Sequence, residues 1–120
     1  TKAMELVASS KLRRAKERVE GSRPYFETLY RTLYDIASAD SDFDSPYLAK
    51  RATNRRLYIV IAGDRGLAGG YNANVFKQAD AVEGPVTVLP IGKRSAEYFA
   101  HHGAGLFTPE VLMAADVSAK

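Results

Sequence analysis

A long heptad repeat in the first third of the chain limits its fold more than any other feature. Nine positions, eight of them apolar, recur at alternating spacings of four and three residues. This spacing is typical of a helix that packs along a narrow stripe against another helix. We call the stripe the seam; its residues are Ala8, Leu12, Ala15, Val19, Ser22, Phe26, Leu29, Leu33 and Ile36.

Two helix breakers, Gly21 and Pro24, interrupt the repeat. Proline removes one helical hydrogen bond, and its ring presses on the carbonyl four residues earlier, so the helix either kinks or splits here. If Gly21 ended one helix and Ser22 capped the next, the second helix could restart in any phase. The seam continues in register across the gap, which favours one long, kinked helix over residues 1–38.

Such a helix is longer than the rest of the chain can cover. At 1.5 Å per residue it would be about 55 Å long, whereas the remaining residues could form a globule only about 30 Å across. Part of the apolar seam would then face water, a state that proteins resolve by pairing with another helix. These 120 residues contain no second heptad segment, so we expect the partner helix to lie outside them.

The periodicity changes after Ala39–Pro46, an acidic, turn-rich stretch, and we interpret residues 39–55 as a linker. Leu57–Ala62 is a continuous run of apolar residues, typical of a strand buried on both faces of a parallel sheet. A strand over Val86–Ile91 and helices over Asn72–Val82 and Lys93–His102 complete a β-α-β-α order. Residues 56–120 therefore predict a partial α/β domain with a doubly wound, Rossmann-like parallel sheet. Leu106-Phe107 is a weak candidate for a third strand, and Pro109–Lys120 has helix-forming composition without a clear stripe.

Composition excludes several classes of function. The chain has no cysteine, so it has no disulfide framework, thiolate metal site or cysteine nucleophile. Its apolar runs are far shorter than the roughly 20 residues that cross a bilayer, and no cleavable targeting segment opens it, so any membrane association should be peripheral. His101 and His102 are adjacent and have no acidic partner at ligand spacing, so we expect no metal site.

The glycine-rich segment from Gly63 to Gly70 lies between a predicted strand and helix, where nucleotide-binding proteins place phosphate-binding loops. It matches neither the Walker nor the dinucleotide fingerprint. One interpretation is a tight turn whose glycines, among them Gly66, Gly69 and Gly70, allow positive φ angles. The alternative is a small nucleotide-binding α/β protein that uses this loop.

Asp64 and Arg65 follow the first predicted strand directly. Ligands collect at the carboxyl ends of strands in open sheets, so the two residues could be a catalytic pair. They could equally form a salt bridge that holds the turn. No nucleophile or second titrating group stands beside them in the sequence, which favours a structural role.

The first half of the chain holds all of the basic excess, with twelve basic and eight acidic residues in 1–56. A basic helix with nearby aromatic residues (Tyr25, Phe26, Tyr30 and Tyr34) could bind nucleic acid. Packing along the seam explains the aromatics more simply. The charges could be a solvated face or could meet an acidic protein surface. The basic residues in question are Lys11, Arg13, Arg14, Lys16, Arg18 and Arg23.

Two segments of the chain carry a resemblance to a known family. The first is Thr1–Arg13 (TKAMELVASSKLR); the second is Asp64–Gly70 (DRGLAGG), followed by Asn72 and Asn74. Arg23-Pro24-Tyr25 and Pro46-Tyr47 also fit. With both long motifs in the right order and at the right separation, residues 1 to about 105 resemble the gamma chain of F-type ATP synthase.

The resemblance implies a rotor subunit without a catalytic site, cofactor or metal of its own. In this family the gamma chain turns inside the catalytic head and couples proton flow to ATP synthesis or hydrolysis in the beta subunits. The implied partners are the alpha, beta and epsilon subunits, the membrane c-ring and the C-terminal gamma helix, with no nucleic acid, at the cytoplasmic side of a bacterial cell membrane. The implied torque contacts with beta are Lys2, Met4, Lys11, Arg13, Arg14 and Lys16.

The chain departs from the family pattern in three ways. It begins within the first helix and stops within the α/β domain, so that without the C-terminal helix it could not turn anything alone. Ala68 stands where many relatives have cysteine, so no thiol chemistry is needed there. The tail from Leu106 onward matches too loosely for any role to be carried over.

Overall fold

A computed structural model describes residues 1–39 and 44–117 of the chain. These residues belong to two compact units, Thr1–Lys50 and Arg51–Lys120. The first unit is built around one long helix, and the second is a small α/β unit.

Helix α1 runs without a break over Lys2–Ser38 and includes Pro24. The prediction of one long helix is therefore confirmed, and the alternative of two helices split at Gly21 is wrong. Within the helix, Lys16 and Glu20 form an ion pair, with 3.7 Å between Nζ and Oε1.

The predicted linker falls partly on residues 40–43, which lie outside the described residues. After them, the carbonyl of Ser45 accepts hydrogen bonds from the amides of Leu48 and Ala49, at 3.0 and 3.1 Å. This forms a single turn ahead of the α/β unit.

Three parallel strands form the sheet of the second unit, in the order β1-β2-β3. They are β1, Arg56–Ile61; β2, Val86–Ile91; and β3, Gly105–Leu106. Helix α2, Tyr71–Asp80, connects the first two strands, and helix α3, Lys93–His101, connects the last two. The predicted fold class is confirmed: a long N-terminal helix precedes a partial, Rossmann-like parallel sheet. Of the weak third-strand candidate, Leu106 pairs with Val88, whereas Phe107 lies just beyond the strand.

The core of the α/β unit lies on one face of the sheet. Phe76 of α2 and Phe99 of α3 pack there with Val60, Ala62 and Val88. Because right-handed crossovers that advance in one direction place their helices on the same side of a sheet, both helices cover this face.

The opposite face of β1 is open, which corrects the expectation of a strand buried on both faces. Val60 is buried, but Leu57, Ile59 and Ile61 are exposed, Ile59 by 58%. A run of apolar residues cannot by itself distinguish a strand covered on two faces from one covered on a single face.

The segment after β3 is not helical, although its composition favours helix. Leu112 makes an isolated parallel bridge with Ile91, and its carbonyl accepts a 2.7 Å hydrogen bond from the amide of Gly92. A turn at Met113–Asp116 follows, and residues 118–120 lie outside the described residues. In the described ranges, no helix is both long enough and apolar enough to cross a membrane.

Candidate functional site

The seam of α1 is an exposed apolar stripe, and α1 contains no buried residue. Leu12 is 71% exposed, and Val19 and Phe26 are each 59% exposed. Ser22 is partly buried, and its Oγ donates a 3.0 Å hydrogen bond to the carbonyl of Val19, one turn earlier. The one polar seam residue thus satisfies its hydroxyl within its own helix, so the stripe presents an apolar surface.

The C-terminal half of the seam forms a shallow apolar groove of about 710 Å³. Aromatic rings dominate it, and Phe26 also meets Tyr25 edge to face with 5.5 Å between ring centroids. Tyrosine and phenylalanine supply large contact areas at helix–helix and protein–protein interfaces. The groove is lined by Phe26, Glu27, Leu29, Tyr30, Arg31, Leu33 and Tyr34.

The six residues implied as torque contacts all lie on α1, and all are exposed. Lys16 forms the ion pair with Glu20, and both side chains remain more than half exposed. Exposed pairs of this kind contribute little stability, so Lys16 can readily exchange Glu20 for another carboxylate. Lys2 and Met4 lie in the first turn of α1. The other four lie about two to four turns further along, namely Lys11, Arg13, Arg14 and Lys16.

Asp64 holds together three segments of the α/β unit. Its carboxylate accepts backbone hydrogen bonds from Lys93 at 3.1 Å, Ala114 at 2.7 Å and Ala115 at 3.1 Å. These bonds connect the end of β1 to the first turn of α3 and to the segment after Leu112. The amide of Ala114, above all, lowers the pKa of Asp64, since it favours the ionised carboxylate.

The pair Asp64 and Arg65 does not form the salt bridge that was one alternative. No ion pair joins the two residues, and the carboxylate of Asp64 is bound by backbone amides instead. Arg65 lowers the pKa of Asp64 only as the least of several causes. Asp64 therefore acts through backbone amides that lie far from it in sequence.

The glycine-rich loop needs a left-handed backbone at fewer glycines than expected. Gly69 has φ +58, and the other positive φ in the loop belongs to Leu67, a fully exposed leucine with φ 65. Gly66 instead has little room, because an added Cβ would lie 3.2 Å from Nη2 of Arg94. Gly70 precedes α2 in helical conformation, and its carbonyl accepts the amide of Asn74 at 2.9 Å. The expectation of positive φ angles therefore holds for Gly69 and is wrong for Gly66 and Gly70.

Sequence reasoning missed Gly92, the glycine that the structure constrains most. It has φ +96, and a Cβ at this position would lie 1.9 Å from the carbonyl oxygen of Ala62. β2 therefore ends against the backbone of β1, where only glycine fits. A signal was present in the sequence, since Gly92 follows β2 as Gly63 follows the end of β1.

Ser95 of α3 was also missed. It is fully buried, and its Oγ donates a 2.8 Å hydrogen bond to the carbonyl of Val60. The bond fixes α3 against β1, 35 residues away in sequence. No local pattern distinguishes this serine from an exposed one.

Comparison with known proteins connects these surfaces to a family. The family model described as ATP synthase matches residues 1–117. An ATP synthase gamma chain from Ruminococcus albus is 51% identical over 106 residues, which cover 82% of this chain and 37% of the relative. An ATP synthase gamma chain from Psychrobacter sp. strain PRwf-1 is 42% identical over 112 residues, which cover 86% of this chain and 38% of the relative. The chain spans less than two fifths of the length of these curated relatives. With this family match and these two gamma chains as relatives, the chain belongs to the ATP synthase family.

Proposed function

We propose that this chain is part of the central-stalk rotor of a proton-translocating F-type ATP synthase. The observation that carries the proposal is a 37-residue helix whose apolar seam is exposed along its length, in a chain related to gamma chains. A helix in a protein gains most of its stability by packing its apolar face against other elements, so a seam of this length needs a partner. We propose the C-terminal helix of the gamma chain as that partner.

The rotor acts without a catalytic site of its own. A stiff, asymmetric helix pair contacts the three beta subunits differently, and these differences in contact energy bias each subunit towards a different nucleotide affinity. The proposed contacts are the six exposed residues at the start of α1, and the proposed role of the Asp64–Gly70 loop (Asp64, Arg65, Gly66, Gly69 and Gly70) is structural. No cofactor or metal is required of this chain.

The remaining partners and the location are proposed with the rotor role. The chain would meet the alpha and beta subunits in the catalytic head and the epsilon subunit and c-ring at its foot. It would lie at the cytoplasmic face of a bacterial cell membrane as a peripheral component. The proposed organisation is a coiled-coil helix over 1–38, a linker over 39–55 and a partial α/β domain over 56–120.

The torque contacts can be tested in the assembled enzyme by reversing two charges. In a full-length gamma chain with this sequence, Arg13→Glu with Arg14→Glu should reduce proton pumping per ATP hydrolysed by about fivefold, the low end of typical coupling free energies. Yield of the complex should change much less. Lys77→Glu, a charge reversal at an exposed position of α2, serves as the control.

Pumping and hydrolysis are measured together on the reconstituted enzyme. If the double variant remained fully coupled, the assignment of torque contacts would be wrong. If the full-length chain did not co-purify with alpha and beta subunits at all, the rotor proposal itself would fail.

A further inference from the structure

The charges of α1 are distributed unevenly around the helix. Each residue turns by about 100°, so the heptad repeat places one row of residues on either side of the seam. We call these the flanking positions. They are Lys11, Arg18, Tyr25 and Thr32 on one side and Ser9, Lys16, Arg23, Tyr30 and Ala37 on the other.

Every charged residue at a flanking position is basic. These four cations, Lys11, Lys16, Arg18 and Arg23, occupy consecutive flanking positions on alternating sides of the seam, and all are exposed. The acidic residues of α1 lie elsewhere: Glu5 precedes the seam, and the others are on the outer side of the helix, namely Glu17, Glu20, Glu27 and Asp35.

The flanking cations are available to a partner. Among the described residues, the one ion pair within α1 joins Lys16 to Glu20, and their side chains are 72% and 55% exposed. So exposed a pair is weak and exchanges easily.

This pattern disfavours a second copy of the chain as the occupant of the seam. In a parallel helix pair, residues of one flanking row face the opposite row of the partner; in an antiparallel pair, like rows face each other. A parallel pair would set Lys11 against Lys16 of the second copy and Arg18 against its Arg23. An antiparallel pair that overlaps along the whole seam would set Arg23 against Lys16 or Arg23 of the second copy. Like charges at such positions select against self-pairing.

We infer that the seam is covered by a helix whose own apolar stripe is flanked by acidic residues where it faces Lys11–Arg23. This deepens the proposed function and rests on it in one respect, namely that the C-terminal gamma helix is the source of this helix. Beyond Arg23 the flanking residues are uncharged, and the aromatic groove around Phe26 begins. The acidic stretch of the partner is therefore short and continues into an apolar one.

The inference also divides the proposed torque contacts into two groups. Lys11 and Lys16 stand beside the seam, where the partner helix lies, whereas Arg13 and Arg14 lie on the outer side of α1. The outer pair remains free to meet beta subunits while the flanking pair is engaged.

Two designed helical peptides test the inference directly. Both carry the same apolar stripe to match the seam; one has glutamate and the other lysine at the positions that face the four cations. The 120-residue chain should bind the acidic peptide about tenfold more tightly than the basic one, from four exposed pairs. The preference should shrink as salt is raised.

Variants of the chain make the outcome decisive. Reversal of all four flanking cations (Lys11→Glu, Lys16→Glu, Arg18→Glu and Arg23→Glu) should invert the preference, whereas Glu17→Lys, a charge reversal on the outer side, should leave it unchanged. Because the readout is a ratio of two dissociation constants, a change in helix content affects both peptides alike. Equal affinity for the two peptides, a preference for the basic one, or no binding of either would overturn the inference.

The experiment also separates this inference from the proposed function. If the 120-residue chain discriminates between the peptides but the full-length gamma chain does not assemble with alpha and beta subunits, the rotor role alone is refuted. If the full-length chain assembles but the 120-residue chain does not discriminate between the peptides, the inference of an acidic partner helix alone is refuted.

Discussion

The two compact units of the chain use their apolar residues in different ways. α1 leaves its seam exposed, and none of its residues is buried. The α/β unit instead packs Phe76 and Phe99 against Val60 and Val88. Ser95 fixes α3 against β1, and Asp64 holds the segment after β3. The first unit therefore has a fold that follows from local periodicity but a surface that needs a partner, whereas the second satisfies much of its apolar surface within itself.

Gly92→Ala should cause the largest loss of unfolding free energy in the α/β unit, the unit that satisfies its apolar surface within itself. The new Cβ would lie 1.9 Å from the carbonyl oxygen of Ala62, at a φ of +96 that side chains rarely adopt. We expect the α/β unit to lose about 4 kcal/mol or more of unfolding free energy, as for the most damaging single changes. Urea titration followed by near-UV circular dichroism of the tyrosines measures the loss.

Gly103→Ala is the matched control, because Gly103 has φ +68 but open space around its Cβ position. It should cost only about 1–2 kcal/mol, the price of the left-handed conformation. If the two alanine variants were equally stable, the close approach of β2 to β1 would be disproved.

The second test compares one phenylalanine from each unit. Phe99 is 3% exposed and Phe26 is 59% exposed. Phe99→Ala should lower the unfolding free energy by about 3–5 kcal/mol, because it leaves a cavity in the core. Phe26→Ala should change the stability of the free chain by less than about 0.5 kcal/mol.

The same denaturant titration measures both phenylalanine variants. A large loss of stability in the Phe26→Ala chain would mean that the seam is already packed in the free chain, and the contrast between the units would disappear.

The smallest expected effect is the acid sensitivity contributed by Asp64. Its folded pKa lies below the ordinary carboxyl value of 3.8, chiefly because the amide of Ala114 donates to it. The ionised carboxylate of Asp64 therefore stabilises the folded unit above pH 3.8, and this stabilisation is lost as the pH falls through the lowered pKa. Asp64→Asn should make the stability of the α/β unit less dependent on pH below about 4.

Thermal unfolding of wild type and Asp64→Asn between pH 2 and pH 6 gives the comparison. Parallel pH profiles would show that the three amides do not favour the ionised carboxylate. Glu83→Gln, at an exposed position after α2, is the control carboxyl.

Periodicity in the sequence was enough to predict most of the regular elements. The heptad spacing predicted that α1 continues past Pro24 as one helix. The strand β2 was predicted at its observed bounds, Val86–Ile91. Both signals are local, since the residues on one face of a helix or strand recur every few positions along the chain. The resemblance to gamma chains was carried by contiguous motifs and was confirmed by the family match.

Contacts between distant segments could not be predicted in this way. The fit of Gly92 against Ala62, the bond from Ser95 to Val60 and the amides around Asp64 join residues 29 to 51 positions apart. The open face of β1 was also missed, because the number of covered faces depends on where both crossover helices lie. The flanking cations were visible in the sequence but had been grouped with Arg13 and Arg14 as one basic surface.

Hydrogen exchange along α1 tests the central claim most directly. Amides of residues 8–36 should exchange rapidly in the free chain, because no residue of α1 is buried. They should exchange slowly in the assembled ATP synthase, where we propose that a partner helix covers the seam. Amides of β1 and β2 should be protected in both states. If the seam amides were equally protected with and without the other subunits, the claim that α1 needs a partner helix would be contradicted.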